Sequence, residues 1–416
     1  MDPHLFRREA GRMVAALTRI FGVHNLALAE DVVQDALCRA LETWKVRGVP
    51  DNPSAWLMTT AKNRALDIVR RERTARTFAP ELGWLLETEW TLAPVVDEAF
   101  APQAIRDEQL RMMFSCCHPR LPVEAQIALI LNILCGFGAR EIASAFLTGR
   151  AAVEKRIARG KKLLAASRRL FDLGDAELTA RLSTVMRALY LLFSEGYHGA
   201  SAESAARVEL CEEASRLTAL LREHPPTATP ATNALAALMC LHAARLPARI
   251  DSAGDLSALA DQERSRWDRR LVAEGLALFE LSAAGDELSA YHIEAAIAVV
   301  HASAPSLEET DWAAIVSWYD RLMDLAPSPV VALNRAIAVG QRDGPDRGLE
   351  ALHAIADRDR LSAYPFYPAA IGELELRRGD RDAARLHLQA ALDLARNPAE
   401  RRFLEKRLRC CDESAP

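Results

Sequence analysis

Residues 150–169, RAAVEKRIARGKKLLAASRR, hold eight lysines and arginines and a single acid, Glu154. Cations at that density on one helix suit a polyanion, and the phosphates of a nucleic acid are the commonest one. The residues just before, REIASAFLTG, supply a partner. Ala143 is small enough to let a second helix cross it, and Ile142, Phe146, Val153 and Ile157 have the spacing of a shared core. The pattern predicts a helix-turn-helix. Its second helix starts near Arg150 and shows Arg150, Ala151, Glu154 and Lys155 to a major groove. Arg156, Arg159, Lys161 and Lys162 then lie where phosphates run. The turn is irregular: Leu147 stands where glycine is common, and Gly149 is expected to supply the permissive backbone. Taken alone, a basic amphipathic helix is also an ordinary solvated face.

A second set of polar residues lies near the front. In AEDVVQDALCRALETW (29–44), Val32, Ala36, Leu37 and Leu41 predict an apolar face, with Asp31, Gln34, Asp35 and Arg39 opposite. After KVRGVPDNP, which reads as a loop, Pro53 and Ser54 open another helix. There Trp56, Leu57, Ala61, Leu66 and Val69 are the expected core face, and Lys62, Arg64, Arg70, Arg71 and Arg73 supply charge. Asn63 and Asp67, four apart, share a helix face and have the side chains to hydrogen-bond base edges.

The elements that must position these groups are helices throughout. Ala, Leu, Glu and Arg dominate, alternating β-branched runs are missing, and the chain is expected to be all-α. It has 416 residues and a net charge of −5, unevenly placed: residues 1–170 carry +6 and residues 171–416 carry −11. A basic front and an acidic back assign the polyanion to the front. Boundaries are expected at 5–76 for the first block, 77–108 for an acidic linker, 109–172 for the helix-turn-helix block and 178–410 for a long helical array. In the array, Gly372, Ala384 and Ala391 repeat the placing of Ala336, Gly348 and Ile355 thirty-six residues earlier. Small residues at those intervals let paired helices approach closely, as in tetratricopeptide units.

In this order and spacing the stretches resemble an extracytoplasmic-function RNA polymerase sigma factor. AEDVVQDAL…W is similar to the region-2 helix that docks on the polymerase clamp, which puts Asp31, Gln34 and Asp35 on the core enzyme. AWLMTTAKNRALDIVRRER is similar to the segment that melts and holds the −10 element, which implies roles there for Trp56, Lys62, Asn63, Arg64, Asp67, Arg70 and Arg71. EIASAFLTGRAAVEKRIARGKKLL is similar to the region-4 helix-turn-helix of the −35 element. RMMFSCCHPRLP (111–122) and the tail stretches DQERSRWDRRLVAEG, SPVVALNRAIAV and NPAERRFLEKRL resemble the subgroup with a C-terminal tetratricopeptide-like extension. The resemblance implies core RNA polymerase (clamp and flap) and promoter DNA as partners, a tail that regulates and takes a protein or peptide, and a linker that threads the polymerase channel. Gly160 departs from the family, where alanine is usual, and is expected to loosen the end of its helix.

Other classes find little support. Eight cysteines show no CxxC and no framework spacing, which points to a reducing cytoplasm. No signal peptide opens the chain, and the longest apolar run, IALILNILCGFGA, is too short for a membrane span. Cys116, Cys117 and His118 lack zinc-ligand spacing, so no metal and no cofactor is expected. His198 and His242 read as packing or surface residues, and no catalytic set suggests an enzyme. A helix-turn-helix activator of duplex DNA with a tetratricopeptide-like sensor is the alternative function.

Overall fold

The computed structural model describes residues 3–71, 97–146, 148–166, 174–198, 207–250, 256–395 and 398–412. Among these residues the regular elements are helices, apart from one isolated bridge, Ile250 to Leu256. The chain forms two compact units. The first holds residues 1–192 and 216–227, the second residues 193–215 and 228–416.

In the first unit, α1 (Pro3–Phe21) is the central strut, because its middle is apolar nearly all round. Met13, Ala15, Ala16, Leu17 and Ile20 have no exposed surface. Helices α2 (Leu26–Arg47) and α3 (Pro53–Arg71) pack on α1, and α4 (Pro102–Cys116) packs along it as well. Then come α5 (Val123–Ile133), the short α6 (Ala139–Ala145) and α7 (Arg150–Ala166). The helix opening the second block thus starts at Pro102, inside the stretch read as linker. Residues 72–96, which include Arg73 and most of that stretch, lie outside the described residues, as does Leu147. Residues expected to open the tail also cluster here: in α8 (Asp175–His198) Arg181 donates to the Phe114 carbonyl at 3.1 Å, and in α9 (Val208–Glu223) Arg216 donates to Gln109 at 3.3 Å.

The second unit contains α10 (Pro230–Ala243), α11 (Leu246–Arg249), α12 (Arg269–Ser282), α13 (Ala290–Ser303) and α14 (Trp312–Leu325). After them come α15 (Pro329–Asp343), α16 (Pro345–His353), α17 (Phe366–Arg378), α18 (Arg381–Asp393) and α19 (Pro398–Arg409). Side chains written into the sequence cap many of them: Thr229, Asp268, Asp311, Ser328 and Asp380 each accept a backbone N–H of the first turn. The small residues of the tail sit at helix contacts. Gly348 lies so near the Gly340 backbone that a Cβ would come within 2.8 Å of it, and a Cβ on Gly372 would meet Leu388 at the same distance. Ala336, Ala384 and Ala391 are buried, and consecutive helices α15/α16 and α17/α18 pack as hairpins.

Candidate nucleic-acid interface

Helix α3 starts where the sequence dictates. Asn52 accepts the Ala55 amide at 3.0 Å, and Pro53 follows with its fixed φ and no N–H to satisfy. Leu57, Ala61 and Ala65 are fully buried at four-residue intervals. Ala55, Thr59, Asn63 and Asp67, also four apart, form the exposed stripe. Asn63 and Asp67 therefore share one open face. Trp56 is half-buried, edge-on to Trp44 at 5.4 Å, and stiffens the start of the helix. The half-buried Lys62 and Arg64 flank the stripe. Lys62 pairs with Asp97 at 2.7 Å and Arg64 with Asp35 at 3.0 Å. The side chains of Arg70 and Arg71 lie outside the described set. Beside the helix start is a groove of about 480 Å³, lined by Asn52, Ser54, Met58, Thr59 and Lys62 on one side and by Arg12, Asp97 and Phe100 on the other.

On α2, Asp31 and Gln34 are exposed and Asp35 is half-buried. The apolar face keeps Val32 and Ala36 as expected but shifts away from Leu41, and Leu37 is only half-buried. Val32, Val33, Ala36, Ala40 and Trp44 are buried, whereas Leu41 is 46% exposed. Phe6 stacks on Trp44 at 5.5 Å, and Ala40, one turn before Trp44, faces the core in place of Leu41.

Helix α7 buries Val153, Ile157, Gly160 and Leu164. Arg150, Ala151, Glu154, Lys155, Arg159 and Lys162 are exposed, and Arg156 is half-buried. Arg150 and Glu154 pair across one turn at 2.7 Å, so the two foremost groups of the helix face each other in the absence of DNA. Ile142 and Ala143 are buried beneath, and the Thr148 amide closes the turn on the Ala143 carbonyl at 2.9 Å. Lys161 points the other way and donates to Glu30 of α2 at 2.6 Å. It reaches a phosphate only by giving up that pair.

Gly160 has a different role from the one expected. It is buried, and a Cβ there would stand 2.6–2.9 Å from three side-chain atoms of Leu129 on α5. The glycine is what lets α7 close on α5, so it tightens the packing and does not loosen an end.

The two sets of candidate groups lie in one compact unit. Besides Lys161 and Glu30, Arg7 of α1 pairs with Glu141 of α6 at 3.1 Å and lies over the Phe137 ring at 5.1 Å. Family comparisons divide the chain where these helices lie. The model of Sigma-70 region 2 matches residues 5–75 and that of Sigma-70, region 4 matches residues 111–164. The chain carries sigma-70 regions 2 and 4. A family of unknown function (DUF6596) matches residues 181–283 of this sigma factor. It is 39% identical over 398 residues to the "Uncharacterized protein R00370" of Rhizobium meliloti (strain 1021), covering 95% of this chain and 92% of that one, and so shares its family. It is similar at 24% identity over 137 residues to "ECF RNA polymerase sigma factor SigX" of Bacillus subtilis (strain 168), covering 32% of this chain and 68% of the relative.

The cysteine and histidine residues set aside in the sequence are also placed. Cys116 and Cys117 are buried, and burial holds both thiols protonated, Cys117 with its pKa raised to about 12. His118 accepts the Arg120 amide at 3.1 Å through Nδ1. Among the described residues no helix is long and apolar enough to cross a membrane. Sequence reading missed Asp97 and Glu98, acids at the end of the linker stretch that pair with Lys62 and with Arg19 (3.3 Å). Only the acid bias of that stretch pointed to them.

Proposed function

We propose that this sigma factor is a dissociable subunit that directs core RNA polymerase to specific promoters, reading the −10 element with α3 and the −35 element with α7. What supports the reading most is the exposed Asn63–Asp67 stripe, set beside a groove large enough for an unstacked base. The outward cations of α7 supply the duplex contact. Asp31, Gln34 and Asp35 hold the clamp of the core enzyme, and the protein acts by binding, with no covalent chemistry of its own.

Energetics require the polymerase. Opening about a dozen base pairs costs on the order of 15 kcal/mol at roughly 1.4 kcal/mol per stacking step. One flipped base returns only a few kcal/mol. Run-off transcription with core enzyme on promoters from the gene's own neighbourhood is the test. Specific transcripts that need both proteins are expected. Duplex binding by the free chain with no transcript would favour an activator instead.

The second unit is proposed to regulate initiation. Truncation is a poor probe of that role. A cut after Ala370 falls inside α17 and removes Leu374, whose side chain packs over Gly340 and Gly348. Loss of function would then report a broken hairpin. Point substitutions that leave the helices intact are the better test.

A further inference from the structure

The second unit contains a cluster of polar groups that packing does not explain. Its centre is Arg245, at the end of α10. The guanidinium lies over the Trp267 ring at 5.4 Å, and its one hydrogen bond to protein is a long one, Nε to Gln262 at 3.4 Å. Arg264 lies over the same ring at 5.2 Å and is held by the carbonyls of His301 and Ala304 and by the Thr310 hydroxyl. Arg249 lies over the Tyr197 ring at 4.3 Å and donates to the Tyr197 carbonyl. Among the described residues none of the three arginines forms an ion pair with a carboxylate. Among the described residues Glu308 acts on Arg264 through space without closing an ion pair with it.

Around these cations, buried hydrogen-bonding atoms go unused. Tyr197 Oη, His242 Nδ1, Trp267 Nε1 and His301 Nδ1 have no partner, although Tyr197 and Trp267 are 3% and 5% exposed. Native proteins seldom leave such groups unsatisfied without a bound species to complete them. Every one is a donor or, for the imidazoles, becomes one by choice of tautomer or by protonation. No unpartnered buried acceptor is found among them. The histidines are held neutral by burial and by the surrounding arginines, His301 near pKa 3 and His242 well below its ordinary value. Burial also lowers Arg245. Yet His242, Arg245, His301 and Tyr319 keep part of their surface accessible. Accessible surface together with strong desolvation marks groups that line a recess, not groups in a solid core.

We propose that this recess binds a small organic oxyanion, a carboxylate or phosphate ester, with Arg245 as its principal charge partner and Tyr197 and Trp267 as neutral donors. Two cations without a carboxylate partner, stacked on one indole and flanked by unpartnered donor groups, are complementary to negative oxygens. The stretch DQERSRWD, which DNA reading does not use, supplies Gln262, Arg264 and Trp267. The proposal concerns binding and stands apart from the sigma reading, since the free full-length chain is sufficient to test it.

The test is thermal unfolding of the full chain titrated with sodium phosphate, sodium benzoate and sodium citrate, against sodium chloride at equal ionic strength. A saturable rise in Tm with at least one oxyanion and none with chloride is expected, and the effective probe tells phosphate from carboxylate. Arg245→Met should abolish the response while leaving the ligand-free Tm equal or higher, because it removes a desolvated, unpaired charge. Tyr197→Phe removes only a hydroxyl without a protein partner, so it keeps the fold and should weaken binding at least severalfold. Arg347→Gln, exposed elsewhere in the same unit, should respond as the wild type. The proposal is overturned if no probe outdoes chloride, or if Arg245→Met and Tyr197→Phe both keep the full wild-type shift. A lower ligand-free Tm for Arg245→Met with an intact anion response would likewise make the arginine structural and overturn it.

Discussion

Replacing Gly160 by alanine sets two well-defined effects against each other. In a helix interior alanine is favoured over glycine by about 1 kcal/mol. Against that, the new Cβ would stand 2.6 Å from Leu129 Cδ1 and 2.9 Å from both Cδ2 and Cγ. Leu129 is fully buried, and because Cγ is among the clashing atoms no rotation of the terminal methyls clears the space. Overpacking of this kind costs about 1–3 kcal/mol. The net expectation is a destabilisation of α7 against α5 by about 1 kcal/mol, although the substitution brings the chain closer to its family. The sign should reverse in a Leu129→Ala background. That substitution alone costs about 2–5 kcal/mol by opening a cavity, but it removes the clashing atoms, and the alanine at 160 then contributes its helix preference. The coupling between the two sites should be about 2 kcal/mol.

Hydrogen exchange of the 150–166 segment in the full chain measures this locally. A loss of 1 kcal/mol corresponds to roughly fivefold faster exchange at equilibrium opening. Faster exchange in Gly160→Ala and slower exchange on adding it to Leu129→Ala are expected. If Gly160→Ala slows exchange in the wild-type background, the close approach of α7 to α5 is not what holds this helix.

Three further outcomes follow from the same geometry. Asp31→Lys with Asp35→Lys should abolish capture by core polymerase in a pull-down while leaving the Tm nearly unchanged, since the partly solvated Asp35–Arg64 pair contributes only about 0–1 kcal/mol. Arg159→Gln and Lys162→Gln should weaken −35 binding across sequences and reduce the salt slope by about one per phosphate contact, whereas Arg150→Ala should relax base preference by about 1–3 kcal/mol, read on a panel of −35 variants. Asn63→Ala with Asp67→Ala should slow open-complex formation on duplex promoters more than on a pre-melted template, and equal defects on both would remove the melting role from α3.

The sequence made some of this legible and hid the rest for physical reasons. The start of α3 was readable because its signal is local: Pro53 and Ser54 mark it in the sequence, and the Asn52 side chain caps it in the structure. The core of α7 was readable because Val153 and Ile157 repeat at helical spacing. The face of α2 differs from the reading at Leu41, because Ala40 and Trp44, four apart, form the buried row, and the Phe6 ring on Trp44 lies thirty-eight residues away in sequence. Gly160 was misread for the same reason, since only the distant Leu129 shows why a side chain has no room. His242 packs on Tyr197, in line with its reading as a packing residue, but Arg249 and His301 beside it come from separate helices, and no spacing rule joins them.

The pairing of the candidate DNA groups in the first unit has a consequence for how such a chain must work. Lys62 is held by Asp97, Arg64 by Asp35, Arg150 by Glu154 and Lys161 by Glu30. On the proposed reading of promoter DNA, each of these cations exchanges its acid for a phosphate or a base, and the contact contributes only the difference. Exposed pairs such as Arg150–Glu154 are nearly neutral to break. Lys161–Glu30 and Arg7–Glu141 differ in kind, because they tie region 4 to region 2. Duplex DNA extends about 3.4 Å per base pair along each strand, so two elements more than a helical turn apart lie farther from each other than helices joined by an ion pair. Promoter reading at both elements therefore requires those ties and the Gly11 contact with the Leu134 carbonyl to open. The core enzyme, which alone can offset promoter melting, is the natural source of the free energy for that step as well.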